Sequence, residues 1–483
     1  MPPIVESCLS LILLFSCIMP TSQLREVPMN VLFIISDQHR RNAAGCYGDP
    51  VVRTPHIDRL AQEGVRFTDA YCPSPLCGPS RSAIVTGTHA STCGVHNHSY
   101  MDSLPDLPTM GSVFRDAGYV TGAIGKLHAA GETDERDLGF DKRGLRIYTA
   151  ARGSYRDEVG DDVLRQYAGY MLDGRPARHV YNPSNTPVGM DENLMLDNLV
   201  VDRCIEFMRA QRNKPFFLWA GLEKPHPEWY APARFHDMYD PAKMPLPPTA
   251  SPETIADLPE SVVPGHMRRR KDPDEKKRGM VAAYYANVSY MDWNVGRLLD
   301  ALDELELRGD TVVVYTSDHG ENLFEHGLIQ KHCLFESAMG VPLVISHRDL
   351  PVGSVCETPA NLIDLFPTLA ELAKIDPPST LEGTSRVSAM QEGTAPEGDA
   401  VTSECCLWGD RQRMVRSGRW KYILAGNDEV LFDMEFDPWE ERNLAKDPAH
   451  AERCGELKKL ALDGWNPPPD GYLQEGMKPI WPR

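Results

Sequence analysis

Apolar runs of two kinds alternate along the chain. The first kind is short and continuous: VLFIIS (31–36), PFFLWAGL (215–222), TVVVYTSD (311–318) and VPLVIS (341–346). These runs are rich in β-branched and aromatic residues and leave no polar face for solvent, so they predict strands buried on both sides of a parallel sheet. VTGAIGK (120–126) reads as a further strand. The second kind recurs at helical spacing. HIDRLAQEG (56–64) predicts a helix closed by Gly64, GSVFRDAGY (111–119) another, and residues 194–212 a third with Leu196, Val200, Cys204 and Met208 on one face. Residues 279–306 predict a long helix carrying Tyr284, Val288, Trp293 and Leu298, and LIDLFPTLAELAKI (362–375) a shorter one.

Strands that alternate with helices imply an α/β sandwich around a mostly parallel sheet, with any site at the carboxyl ends of the strands. Polar groups stand at such ends: Asp37, Lys126, the Glu223-Lys224-Pro225-His226 stretch and Asp318. The segment from 232 to 280, Pro-rich and then charged (RRRKDPDEKKR, 268–278), reads as a surface excursion. After residue 376 the texture changes. RMVRSGRWKYIL (413–424) and EVLFDM (429–434) alternate like antiparallel strands, and residues 447–465 close with a helix. A catalytic domain over 29–376 and a small α+β subdomain over 377–483 are therefore expected.

Composition narrows the class. The 483 residues suffice for two domains, and 42% hydrophobic with 25% charged residues is globular. A net charge of −19 argues against a nucleic-acid partner or anionic membranes. The 12 cysteines include no CxxC pair, which excludes a zinc ribbon or a thioredoxin-like site, and most read as small buried hydrophobes, Cys46, Cys72 and Cys93 among them. CLSLILLFSCIM (8–19) has the length of a secretory leader's apolar segment, with Pro20, Thr21 and Ser22 in the cleavage region. Residues 1–28 are then a signal peptide and the mature protein is periplasmic or secreted. MPPIVE lacks Lys and Arg, however, and translation from Met29 would leave the protein in the cytoplasm. No other run is apolar enough for stable membrane insertion.

The stretch CPSPLCGPSRSAIVTG (72–87) carries the chemistry. Pro79 suits the first turn of a helix and Gly87 its end. Cys77 would then stand at the positive end of the helix dipole, with Arg81 one turn on, a setting that stabilises an anionic centre. Cys77-Gly78-Pro79-Ser80-Arg81 followed by Thr86-Gly87 resembles the signature of the sulfatases. Other stretches agree in order along the chain: NVLFIISDQHR (30–40), GKLH (125–128), EKPHPEW (223–229), YTSDHGENLFEHGLIQKH (315–332), and WKYI with LFDMEFDPWEERNLA (420–445).

The resemblance implies an alkaline-phosphatase-like α/β fold. It also implies that Cys77 is oxidised to formylglycine by a generating enzyme, the hydrated aldehyde being the nucleophile that attacks sulfur. Asp37, Gln38, residue 77, Asp318 and His319 would hold one divalent cation, calcium in this family. His319 stands where Asn is frequent and Gln38 where a second Asp is frequent, so the ligand set carries less charge. Lys126 and His128 would orient and activate the diol, Arg81 would hold it, and His226 with Lys331 would serve the leaving oxygen. Ser80 sits three residues past the nucleophile position. His96, Asn97, His98 and Trp229 are candidate pocket residues. Substrate choice falls to loops near 89–108, 140–190 and 227–275, which leave aryl, glycosaminoglycan and algal polysaccharide sulfates open. The same motifs admit a phosphonate monoester or phosphodiester hydrolase, and an unmodified Cys77 would leave a sulfated-glycan binder.

Overall fold

The computed structural model describes residues 29–97, 106–129, 137–144, 192–227, 229–263, 272–393, 400–406 and 411–468. The signal peptide expected at 1–28, His98, and parts of the loops expected to choose the substrate (98–105, 145–190, 228 and 264–271) lie outside the described residues. Among the described residues fourteen strands follow in chain order: β1 (Asn30–Asp37), β2 (Val65–Phe67), β3 (Ala70–Tyr71), β4 (Val120–Gly125), β5 (Lys142–Gly144), β6 (Phe216–Pro225), β7 (Thr311–Ser317), β8 (Leu343–Ser346), β9 (Ser354–Cys356), β10 (Ala360–Asn361), β11 (Ala400–Cys405), β12 (Gln412–Ser417), β13 (Trp420–Ala425) and β14 (Asp428–Asp433).

Eight strands form the large sheet in the order β5-β4-β6-β1-β7-β8-β2-β9. All run parallel except β8, which pairs antiparallel with both β7 and β2. β1 lies at the middle because its continuous apolar run buries both faces. Val31, Phe33 and Ile35 join one core, and Leu32 and Ile34 the other. Helices cover each side. The Pro55–Gln62, Leu196–Gln211 and Asp274–Glu304 helices pack on the Leu32 face, and the Cys77–Thr86, Met110–Asp116 and Leu365–Leu372 helices on the Phe33 face. The sandwich and its mostly parallel sheet thus match the sequence reading. Among the described residues no helix is long and apolar enough to cross a membrane.

The short strands β2, β3, β5, β9 and β10 lie outside the sequence reading, and two larger elements also differ from it. The long helix begins at Asp274 and so takes in the end of the charged run. Pro273 stands at its N-cap, and Asp274 and Glu275 sit in the first turn, where acidic side chains complement the helix dipole. β11 was not foreseen. Its residues pair antiparallel with β12 as an edge strand, a contact made entirely across a chain reversal.

β11-β12-β13-β14 form the second, antiparallel sheet. Its strands alternate: Tyr422 and Leu424 meet Cys454 and Leu457 of the Ala451–Leu462 helix, while Ile423 and Ala425 join the core shared with the large sheet. An ionic cluster pins the two sheets together. Lys421 of β13 is fully buried and lies 3.1 Å from Glu336 and 2.7 Å from Glu440. Arg41, just past β1, reaches the other Glu336 oxygen at 3.0 Å and Asp69 at 2.9 Å. Lys421→Ala should therefore destabilise the protein by about 3–5 kcal/mol, because it leaves Glu440 buried without its cation and Glu336 with Arg41 in place of two. Denaturant unfolding of the variant measures this, and a loss under about 1 kcal/mol, as for an exposed pair, would contradict it.

Candidate active site

Strand register assembles the site. Ser36 pairs with Ser317 across β1 and β7, so Asp37 and Asp318 emerge side by side although 281 residues separate them in the chain. On its other flank β1 pairs Asp37 with Pro225 of β6, which brings His226 alongside. β6 in turn pairs Gly221 with Gly125 of β4, which delivers Lys126. Gly221 is required at that crossing: a Cβ there would stand 2.1 Å from the Lys126 carbonyl oxygen. Four neighbouring strand ends thus supply the carboxylates, the lysine and the histidine.

The fifth component arrives on a helix. Cys77 opens the Cys77–Thr86 helix, which Gly87 ends in the left-handed region at φ 66°. Every residue of that helix is buried. Its polar side chains are therefore spent inside the protein. Ser80 Oγ donates to the Asp318 carbonyl at 2.6 Å, which removes it from consideration as a nucleophile. Arg81 donates through Nε to Asp318 Oδ2 at 2.7 Å and through its other nitrogens to the carbonyls of Lys126 and Ser36 at 2.5 and 3.2 Å. It ties three strand ends together.

Around Cys77 Sγ stand His319 Nε2 at 3.3 Å, Lys331 Nζ at 3.6 Å and Asp37 Oδ1 at 3.9 Å. Burial would push the thiol up. Lys126, Lys331, His319 and a hydrogen bond from His128 outweigh it and hold the group well below the ordinary thiol value. Cys46, Cys72 and Cys93 show the contrast. Burial without a cluster of cations pushes Cys46 and Cys93 up to about 12 and Cys72 well above the usual range, as inert structural thiols require. Asp37 is driven up by burial and Cys77 but drawn below the carboxylate range by Lys126, His226 and Lys331. Burial, with Lys331 and Lys126, holds His226 well below its usual value despite Asp37 and Cys77. Its Nδ1 meets the Pro227 carbonyl at 2.5 Å, so Nδ1 carries the proton and Nε2 is the basic nitrogen.

The donor set fits a hard divalent cation. Asp37 Oδ2 is taken by Lys126 and Asp318 Oδ2 by Arg81. That turns the Oδ1 atoms, 3.7 and 3.6 Å from His319 Nε2, toward the site, Asp318 Oδ1 also accepting the Gln38 N–H at 3.1 Å. His319 Nδ1 lies 2.9 Å from the Gly320 carbonyl, which keeps a proton there and makes Nε2, once it gives up its own proton, the ring atom that would meet a cation. Ligand atoms of Asp37, residue 77, Asp318 and His319 all lie within 4.8 Å of one another. Gln38 stands beside this set at φ 69°, and its amide is engaged by Lys331 and Glu321.

Of the pocket candidates, His96 and Asn97 are buried, and burial pushes His96 down to about 4. Trp229 packs against Tyr284 in the core, its indole N–H donating to the Pro225 carbonyl at 2.9 Å, so it supports the His226 turn from behind. Two residues escaped the sequence reading. Asp197 accepts the backbone N–H groups of Glu223 and Lys224 at 2.8 and 3.0 Å and so holds the end of β6. Glu321 binds Gln38 and the loop before Lys331. Both are acidic residues near an apolar pattern, and no spacing reveals which way they point.

Fold and site together define a hydrolase of the alkaline-phosphatase-like class. The Sulfatase family model matches residues 29–375, and the model described as N-sulphoglucosamine sulphohydrolase, C-terminal, matches residues 324–463. The chain belongs to the sulfatase family and is a sulfuric ester hydrolase. A protein of Formosa agariphila named Sulfatase is 31% identical over 456 residues, which cover 89% of this chain and 86% of that one. The phosphonate monoester hydrolase of Agrobacterium radiobacter shares the fold, with a TM-score of 0.75 at 23% identity over 89% of this chain and 94% of that one. So does a protein solved in complex with its substrate D-glucosamine-2-N,6-O-disulfate, with a TM-score of 0.71 at 21% identity over 90% and 97%.

Proposed function

We propose that the protein hydrolyses a sulfate ester of a sugar or aryl alcohol, with Cys77 oxidised to formylglycine and one calcium ion at Asp37, Gln38, residue 77, Asp318 and His319. The observation that carries this reading is the setting of residue 77. It begins a buried helix, at hydrogen-bonding or ionic distance from His319, Lys331 and Asp37 together. When formed, the hydrated aldehyde supplies the nucleophile; the cation, when bound, polarises the sulfate oxygens and neutralises developing charge.

The chain's own groups do the rest. Lys126 is anchored through its backbone N–H to the Gly221 carbonyl at 2.8 Å, and its ammonium pairs with Asp37 beside residue 77. It orients the nucleophile there with His128, and Arg81 keeps the strand ends in register beneath them. Lys331 and His226 serve the bridging oxygen, where negative charge grows as the ester bond breaks. The buried Cys77–Thr86 helix also supports maturation before the fold closes, since a generating enzyme needs the segment accessible. The apolar run at 8–19, read as the core of a signal peptide, supports export.

The test is leaving-group dependence. A sugar alkoxide leaves poorly and needs assistance, whereas a nitrophenolate leaves with little. General-acid assistance contributes ~10²–10⁴ in rate, and His226 can give it only from the minor imidazolium form that carries a proton on Nε2 as well as on Nδ1, because the resting ring is neutral. His226→Ala should therefore lose far more kcat/KM on a sulfated sugar than on nitrophenyl sulfate. Equal losses on both would assign His226 to binding or packing alone. A panel of defined sulfated sugars, with a phosphodiester alongside, separates this reading from the phosphonate monoester hydrolase activity carried by the same fold. If Cys77 stays a thiol, which peptide mass spectrometry detects, a sulfated-glycan binder is left.

A further inference from the structure

We propose that Asp197 is a positioning residue for His226, holding the turn that presents the imidazole to the leaving oxygen. The inference rests on the reading above that His226 works at that oxygen. The sheet is irregular just before this turn. From Ile35 to Asp37 β1 advances two residues, while β6 advances four, from Gly221 to Pro225. The β4 ladder has already ended at Gly221. Glu223 and Lys224 therefore bulge out of register immediately before His226. A bulge re-aims the side chains that follow it, and it leaves backbone donors for other groups to satisfy.

Asp197 satisfies both bulged residues. Its Oδ1 accepts the Glu223 N–H at 2.8 Å and its Oδ2 the Lys224 N–H at 3.0 Å. A carboxylate accepts on both oxygens, which an amide of the same size cannot do. The buried side chain stands in the first turn of the Leu196–Gln211 helix, where the helix dipole favours an anion. Burial pushes the carboxyl up to about 6 against the pull of the two N–H groups, so it is ionised at neutral pH. The start of that helix is itself fixed. Asn198 donates to the Glu192 carbonyl at 2.6 Å and accepts from Tyr290 at 2.7 Å and Asn294 at 3.1 Å, both on the Asp274–Glu304 helix. Asp197 thus acts from a rigid support.

The two residues it holds are the ones that place the imidazole. The Glu223 carbonyl accepts the His226 N–H at 3.0 Å and closes the turn. The Lys224 ammonium donates to the His226 carbonyl at 3.4 Å and lies 3.8 Å from the centre of the Tyr230 ring. Asp197 reaches His226 only through these two peptides. Asp197→Asn keeps the size of the side chain and one acceptor. Its NH₂ must face the second backbone N–H, donor against donor, and the turn has to shift to relieve this.

The experiment is a double-mutant cycle between Asp197→Asn and His226→Ala, with calcium in excess and formylglycine confirmed, on a sulfated sugar and on nitrophenyl sulfate. Asp197→Asn should lower kcat/KM on the sugar by ~10–10²-fold, the scale of loss from a misplaced group. On nitrophenyl sulfate the loss should stay under ~3-fold, since that leaving group needs little assistance. In the His226→Ala background the same change should cost less than ~3-fold on the sugar as well, because its route to the reaction is already gone. A merely structural fault would lower both substrates alike, in both backgrounds. Near-full activity of Asp197→Asn on the sugar, equal losses on the two substrates, or an equal loss with and without His226 would each overturn the proposal. If Asp197→Asn fails to fold, Asp197→Ser decides by the same criteria, since it keeps one acceptor and its hydroxyl can turn its proton away from the backbone. His226→Ala alone reports on the parent reading. Equal losses on both substrates there would overturn that reading and the proposal with it; a loss confined to the sugar, with Asp197→Asn uncoupled from it, would overturn the proposal alone.

Discussion

Cys77→Ala is expected to abolish turnover while leaving the fold intact. The substitution removes one buried Sγ and keeps the Cβ, and alanine is the residue a helix tolerates best. The helix keeps its Gly87 end and the Arg81 bonds to Asp318, Lys126 and Ser36, none of which involves the thiol. Chemistry, by contrast, loses its nucleophile precursor, and none of the neighbours can take over. Ser80 is committed to the Asp318 carbonyl, and His319, Lys126 and Lys331 are placed to act on residue 77. The result is read as turnover of a sulfated sugar beside the melting temperature. Turnover clearly above the buffer rate in the purified variant would refute the assignment. Retained binding of the sugar, measured by calorimetry, would show the pocket intact. Cys77→Ser should be equally inactive unless produced with an enzyme that oxidises serine.

Removal of the divalent cation should lower both rate and stability. The Oδ1 atoms of Asp37 and Asp318 converge beside His319, held there by Lys126 and Arg81. Without an ion these like charges repel in a fully buried setting. An ion that binds only the folded chain stabilises it by about 2.7 kcal/mol at a free concentration of 100 times its Kd. Chelation should therefore lower the melting temperature by roughly 3 °C, taking about 1 °C for each kcal/mol in a chain of this size. Turnover should fall with it, and both should return when calcium is restored. Asp318→Asn should mimic chelation and resist rescue, since it also breaks the Arg81 pair. A chelated protein that melts and turns over like the untreated one would contradict the site.

Much of this was legible along the chain. A strand buried on both faces needs an unbroken apolar run, and where that run stops the next polar residue lands at the sheet's carboxyl edge. VLFIIS before Asp37 and TVVVYTSD ending on Asp318 therefore announced both the sheet and its edge. The helix start at Cys77 was equally local, because Pro79 and Gly87 impose it through their own backbone preferences. What periodicity cannot carry is pairing. The neighbourhood of Asp37 and Asp318 depends on Ser36 lying opposite Ser317, a register chosen by the burial of two whole strands. The reversed direction of β8, the edge strand β11 and the buried Lys421 cluster are likewise contacts between distant segments. Glu321 and Asp197 belong with them. Each is an ordinary acidic residue by its position in the chain, and each becomes part of the site because tertiary packing buries it against donors that only the folded protein brings near. Sequence alone determined which elements form and which side chains stand at their ends; the tertiary structure decided which of those ends meet, because a charge in a protein interior is defined by its partners.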